Sequence, residues 1–391
     1  MTVWDELTGQ ADAIAVFRAA AAAASATPTE GAAEQAMSHA WLITGPPGSG
    51  RSNLAYAFAT ALISGHPDGD DATVAQVAAR SHPDLTVLST EGVSIKVDDV
   101  RAIVRSSSYS PSVGRHRVLV IEDADRMPER TSNVLLKALE EPPERTVWIL
   151  CAPSEADLIP TIRSRVRSVR LRVPSIDDVA ALLVARDGVS PEVAERAARE
   201  AQSHIGMARR LATSSEARER REATLVSALG IRTVSDAVAA AARMIEIAGD
   251  DAKAITLERD ADEREKALRS LGVAPGQTLP PALRGQIKAL EDDQKRRATR
   301  SLRDGIDRIL VDFSSLHRDV LMLQLNGDSA IINRELLSRI ERAASVGSAA
   351  ETLRSLDAIA VARKRIEANV APLLALEAML MTFRRSERAA A

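Results

Sequence analysis

Apolar residues in the first 172 positions gather into short blocks: Trp41–Thr44, Leu85–Ser89, Val118–Ile121, Val147–Cys151 and Val169–Leu171. Unbroken apolar runs of this length suit strands buried on both faces. Between them the spacing predicts helices over Ser52–Ser64, Val97–Ser106 and Thr131–Glu140. Strands that alternate with helices predict a parallel sheet covered on both sides. Pro174 and Ser175 then open a stretch with no strand signal, and 176–228 reads as three short helices broken near Gly188–Pro191 and Ser203–Gly206. From about Leu229 the pattern is long and helical, punctuated at Gly272–Pro281 and Asn326–Ser329. The expected division is an α/β domain over 1–172, a small helical domain over 173–228 and an all-α domain over 229–391. The charge-crowded run Ile255–Arg303 reads as a solvated or antiparallel helix pair, because both signs interleave.

Composition narrows the partners more than the fold. The chain has 391 residues, 45% hydrophobic, with 51 Lys and Arg against 54 Asp and Glu. A net charge of −3 gives no global field toward nucleic acid or membrane, so any DNA contact must be local. Aromatics are 2%, too few for a stacking platform along a single strand. Cys151 is the single cysteine, which excludes an internal disulfide and a Cys-rich zinc site. The stretch from Gly65 to Arg80, with His66 and several aspartates, reads as an exposed loop, and no zinc is expected there. The acidic start and the lack of a long uncharged apolar run lead to the expectation of a soluble, cytoplasmic chain with no membrane partner.

The sharpest local pattern is Gly45-Pro46-Pro47-Gly48-Ser49-Gly50-Arg51-Ser52, placed after one strand and before a helix. That is the context of a phosphate-binding loop: glycines let backbone N–H groups wrap a phosphate chain, and the helix N-terminus adds its positive dipole. Ser52 stands where a hydroxyl would ligate Mg²⁺. Arg51 replaces the usual lysine, and a forked guanidinium does not substitute for a compact ammonium. The strand Val118–Ile121 ends in Glu122-Asp123, where acidic groups hold Mg²⁺ and orient water. The usual order is Asp then Glu. Here Glu122 would reach the metal with a longer arm and Asp123 the water with a shorter one. The two departures together predict binding of ATP or ADP with Mg²⁺ through Ser52 and Glu122, weakly or without efficient hydrolysis.

Directly after the acidic strand comes Asn133-Val134-Leu135-Leu136-Lys137-Ala138-Leu139-Glu140-Glu141-Pro142-Pro143, which resembles the hallmark helix of bacterial clamp-loader subunits with the AAA+ fold. Gly9-Gln10, Ser38–Leu42, Ser81-His82-Pro83-Asp84-Leu85, Ile95–Arg101 and His317-Arg318-Asp319-Val320-Leu321 resemble further segments of this family, in the same order. The resemblance implies a RecA-like AAA+ domain, a helical lid and a helical collar that joins subunits into a ring. Implied partners are the tau/gamma motor subunits, delta, the sliding clamp and primed DNA.

Thr161-Ile162-Arg163-Ser164-Arg165-Val166 resembles the family's Ser-Arg-Cys segment, with valine in place of cysteine. The resemblance gives Arg165 the role of an arginine finger acting in trans on a neighbour's ATP, with Arg163 in reserve. It also gives Arg209 a second sensor position. Ala152 and Pro153 fall where hydrolysing members carry a polar sensor, leaving Ser154 as a substitute. The resemblance also turns the helix after the acidic strand toward the inside of the ring, which makes Arg126, Arg130 and Lys137 the candidates for local DNA contact. The expected function is a stator-like clamp-loader subunit. An active motor ATPase of the tau/gamma type is the alternative, and a small-molecule kinase would have no use for the helical C-terminal third.

Overall fold

The computed structural model describes residues 2–4, 7–25, 37–90, 94–250 and 284–383. The chain divides into two compact units, Met1–Thr213 and Ser214–Ala391.

In the first unit, helix α1 (Ala11–Ser25) precedes a five-stranded sheet. Its strands are β1 (Ala40–Thr44), β2 (Leu85–Leu88), β3 (Arg117–Ile121), β4 (Thr146–Ala152) and β5 (Arg167–Arg170). The order is β2-β3-β4-β1-β5 and every pairing is parallel. Ile43 pairs with Cys151, and Ile121 with Leu150, so β1, β4 and β3 end close together at the carboxyl edge. Ligands gather at that edge in open α/β sheets.

Alternation along each strand feeds two cores. Trp41, Ile43, Val118, Val120, Ile149 and Cys151 face α1 and α2 (Arg51–Ser64). There Phe17, Trp41 and Phe58 make a ring cluster with centroids 4.6–5.5 Å apart. Leu42, Leu119, Ile121, Trp148 and Leu150 form the opposite core, with Ile103, Leu135 and Leu139 from the helices over that face. Trp4, Trp41 and Trp148 are all buried in this unit.

The stretch Gly65–Arg80, expected to be an exposed loop, contains a helix, α3 (Asp71–Ala78). Asp70 caps it by accepting from the Thr73 N–H at 2.9 Å, and Val77 is buried beneath it. Helices α4 (Val97–Ser107), α5 (Glu129–Glu140) and α6 (Pro160–Arg163) complete the α/β part. Next come α7 (Ile176–Asp187), α8 (Pro191–Glu200) and α9 (Ile205–Thr213). Ser175 and Asp178 form a reciprocal cap at the start of α7, and Gly188 ends it at φ 66°. Gln10 fastens the chain's first turn to the exit from the sheet. Its amide donates to the Arg172 carbonyl at 2.9 Å and accepts from the Arg172 N–H at 3.1 Å.

The second unit begins where Ser214 caps a fourth helix within 176–228, one more than the three expected: α10 (Ser215–Leu229). Residues 234–250 are helical (α11), followed by α12 (Arg284–Gln324), α13 (Leu337–Val346), α14 (Ala349–Glu367) and α15 (Pro372–Thr382). The expected break at 272–281 lies outside the described residues, as does most of the expected helix pair. Phe313, Leu316 and Val320 of α12 centre a core with Ile340, Ile359 and Leu376. Asp319, fully buried, accepts from the backbone N–H groups of Ile332 and Asn333 and so fixes the turn before α13. Among the described residues, no helix is long and apolar enough to cross a membrane.

Candidate nucleotide site and arginine finger

The phosphate loop is built by three local constraints. The Gly45 N–H donates to the Pro153 carbonyl at 3.2 Å, tying its start to the end of β4. Ser49 N–H closes a turn onto Pro46 at 3.2 Å. Gly48 at φ 78° and Gly50 at φ 90° occupy the left-handed region, where a side chain is strained. Gly50 also caps α2, whose first-turn N–H groups are free at the loop. A β-carbon at Gly48 would lie 2.4 Å from the His204 ring, so the start of α9 rests against the loop.

Two polar atoms in this loop have no hydrogen-bond partner among the described residues: Ser49 Oγ and Arg51 Nη1, both buried. Ser49 is 3% exposed, and its Oγ fills the space that a side chain at Gly45 would take. Burial pushes the Cys151 thiol up to about 12, and the Arg51 charge opposes that shift. Arg51 likewise lowers the Asp125 carboxyl, which burial raises. Arg51 itself is the first residue of α2, directly after the loop. Unpartnered buried donors beside a helix N-terminus fit a phosphate chain.

The acidic pair fits a metal poorly. Glu122 Oε1 accepts from the Tyr56 hydroxyl at 2.6 Å and from Arg80 Nη2 at 3.1 Å. The Arg80 guanidinium also lies over the Tyr56 ring, 5.4 Å from its centroid. Burial first, and then the hydrogen bond to Glu122, raises the Tyr56 pKa far above its ordinary value, so the hydroxyl stays a donor. Asp123 pairs with Arg126 at 4.0 Å. Both carboxylates of the acidic pair thus already face an arginine. Ser52 is the second residue of α2, after Arg51, and is partly buried.

Arg165 lies at the end of the turn after α6, about a third exposed. Its Nε donates to Glu140 Oε1 at 2.6 Å and its Nη1 to the Thr161 carbonyl at 2.8 Å. Glu140 is the last residue of α5, so the hallmark helix directly restrains the candidate finger. Arg163 is exposed. Arg209 pairs with Asp187 at 2.8 Å, and Arg186 reaches the same carboxylate at 3.0 Å. Ser154 caps the turn at 155–157, accepting from the Ala156 N–H, so its hydroxyl has a structural duty. On α5, Arg130 and Lys137 are exposed.

Three of the family-like motifs are structural fastenings: Gln10, Asp319 and Asp84. Asp84, fully buried, accepts from the N–H groups of Ser112, Val113 and Gly114 and from Arg117. His82 of the same motif accepts from the Asp84 N–H at 3.1 Å. Among the described residues, no group of three or more His, Cys, Asp or Glu could hold a metal ion. Tyr56, Arg80, Glu140 and His204 escaped the sequence reading. The available signals were Tyr56 within the apolar run Leu54–Ala59 and a His204 beside the break before α9.

Residues 23–175 match the family described as DNA polymerase III, delta subunit. DNA polymerase III subunit delta' of Pseudomonas aeruginosa is 37% identical over 134 residues, 32% of this chain and 41% of that one. The chain thus spans about two fifths of that relative's length. The Bacillus subtilis subunit delta' is 24% identical over 343 residues, 85% of this chain and 87% of the relative. A gamma/tau subunit of Mycobacterium bovis is 29% identical over 153 residues, 38% of this chain and 26% of the relative. The loop, the acidic strand and the finger segment all fall within the matched region, where this chain is similar to delta' subunits of DNA polymerase III.

Proposed function

We propose that this chain is a stator-like subunit of a DNA polymerase III clamp loader that helps place the sliding clamp on primed DNA during replication. Its partners are the tau/gamma motor subunits and delta, it meets clamp and DNA through the complex, and it works in the cytoplasm. The observation that carries the reading is the state of Glu122. The carboxylate that a working ATPase needs for its metal is held by Tyr56 and Arg80, in a loop that already has Arg51 for lysine. The loop then holds ATP or ADP without efficient hydrolysis, with Ser49, Arg51 and Ser52 around the phosphates and Arg209 from the lid. The lid over 173–228 and the collar over 229–391 serve the ring.

Arg165 delivers the chemistry in trans. A guanidinium presents forked donors to phosphoryl oxygens as charge builds there. Its ion pair with Glu140 is partly exposed and gives way easily. The test is a reconstituted loader. The isolated chain should hydrolyse ATP at background, and turnover on the order of 1 s⁻¹ would overturn the reading in favour of a motor subunit. Within an intact complex, Arg165→Ala should lower DNA- and clamp-stimulated ATPase and clamp loading, and Arg165→Lys should restore little. Wild-type loading by Arg165→Ala moves the assignment to Arg163.

A further inference from the structure

We propose that the phosphate loop binds a nucleoside di- or triphosphate without a divalent cation, because Arg51 supplies the counter-charge and Tyr56 with Arg80 withholds Glu122 from metal. This rests on the reading of the loop as a nucleotide holder and adds what that site requires.

Three observations point the same way. First, positive charge is already in the loop: Arg51 opens α2 directly after Gly50, with buried Nη1 unpartnered among the described residues. A phosphate oxygen would satisfy that donor, as it would the buried Ser49 Oγ. Second, the negative charge that a metal needs is spent. Magnesium is held by one or two carboxylates together with phosphate oxygens. Glu122 is neutralised by Arg80 at 3.1 Å, and Asp123 faces Arg126 at 4.0 Å. The barrier is electrostatic, since an incoming cation would approach a carboxylate whose charge a guanidinium already balances. Third, the arrangement around Glu122 is built from three parts of the chain: Tyr56 on α2, Arg80 after α3 and Glu122 after β3. Arg80 stands at φ 53° in the turn that ends α3, where the Ser81 N–H returns to the Gln76 carbonyl.

The experiment is a titration of the full-length chain with a fluorescent ADP analogue and with ADP as competitor, in EDTA and in excess magnesium. The affinities in the two buffers should agree within about threefold. Binding tenfold or more tighter in magnesium overturns the proposal, and so does an absence of binding in both buffers. Arg51→Ala should lose at least tenfold in each buffer, with the circular dichroism spectrum unchanged. Tyr56→Phe with Arg80→Ala should make binding several-fold tighter in magnesium than in EDTA, and adding Glu122→Gln should erase that gain. If the double variant does not fold, Arg80→Ala alone carries this arm, since Arg80 is half exposed. A variant that stays indifferent to magnesium removes Tyr56 and Arg80 from the account. The two readings fail separately. A chain that needs magnesium to bind yet never hydrolyses ATP remains a stator, and one that turns over ATP is a motor whatever its metal dependence in binding.

Discussion

Asp84 and Glu122 are carboxylates at opposite ends of the β2–β3 region, and each meets an arginine. Asp84 is fully buried and accepts from three consecutive backbone N–H groups, the Ser112 hydroxyl and Arg117. Glu122 accepts from two side chains on a single oxygen. Backbone donors cannot rotate away, so Asp84 is a fixture that shapes the turn before β3. Side-chain donors can swing, so the availability of Glu122 is set by Tyr56 and Arg80 and can be reset by changing them. The presence of an arginine does not separate a structural acid from a chemical one. The source of the remaining donors does.

Asp84→Ala should break this contrast most severely. Removing one partner of a buried, hydrogen-bonded pair costs about 3–5 kcal/mol, read as a lower urea midpoint by circular dichroism. Burial works to raise the Asp84 pKa, but the N–H groups of Ser112, Gly114 and Val113 outweigh it and hold the carboxyl below its ordinary value. A depressed folded-state pKa stabilises above the unfolded value of about 4 and is lost as pH falls through the folded one. The wild type should therefore weaken below about pH 4, and Asp84→Asn should lose that part of the pH dependence.

Gly48→Ala should cost about 1–3 kcal/mol, because φ is 78° and the new methyl meets the His204 ring. Adding His204→Ala should return only the steric part, a difference visible in thermal melts. Glu122→Gln should change stability by no more than about 1 kcal/mol, as expected for a partly exposed pair. It should also lower the Tyr56 pKa in an absorbance titration, since Glu122 raises it both by hydrogen bond and by charge. Arg165→Ala should shift stability least, within about 0.5 kcal/mol, although the loader's ATPase falls. A large stability loss there would make the Glu140 pair a fixture like Asp84.

The central strands β1, β3 and β4 were legible to within a residue because they are buried along their whole length, whereas the edge strand β5, exposed at three of its four residues, begins two residues before the expected block. The Gly65–Arg80 stretch was misjudged for the opposite reason. Its Gly, Asp and Pro content masks an eight-residue helix with little buried surface, Thr73 and Val77 alone. The start of α10 hung on one capping side chain, Ser214, inside a run of good helix formers. The loop and acidic residues could be named from spacing, but their state could not. Tyr56 and Arg80 stand 66 and 42 positions from Glu122, and only the fold brings them together.

The placement of Trp4, Trp41 and Trp148 gives the molecule a built-in reporter. All three tryptophans of the sequence are buried in Met1–Thr213, and 214–391 contains none. Intrinsic emission therefore watches the sheet unit alone, while far-ultraviolet ellipticity is weighted by helices of both units. Coincident transitions by the two signals would license a single unfolding free energy for the chain, and separated ones would assign the first or second step to a named unit without any label.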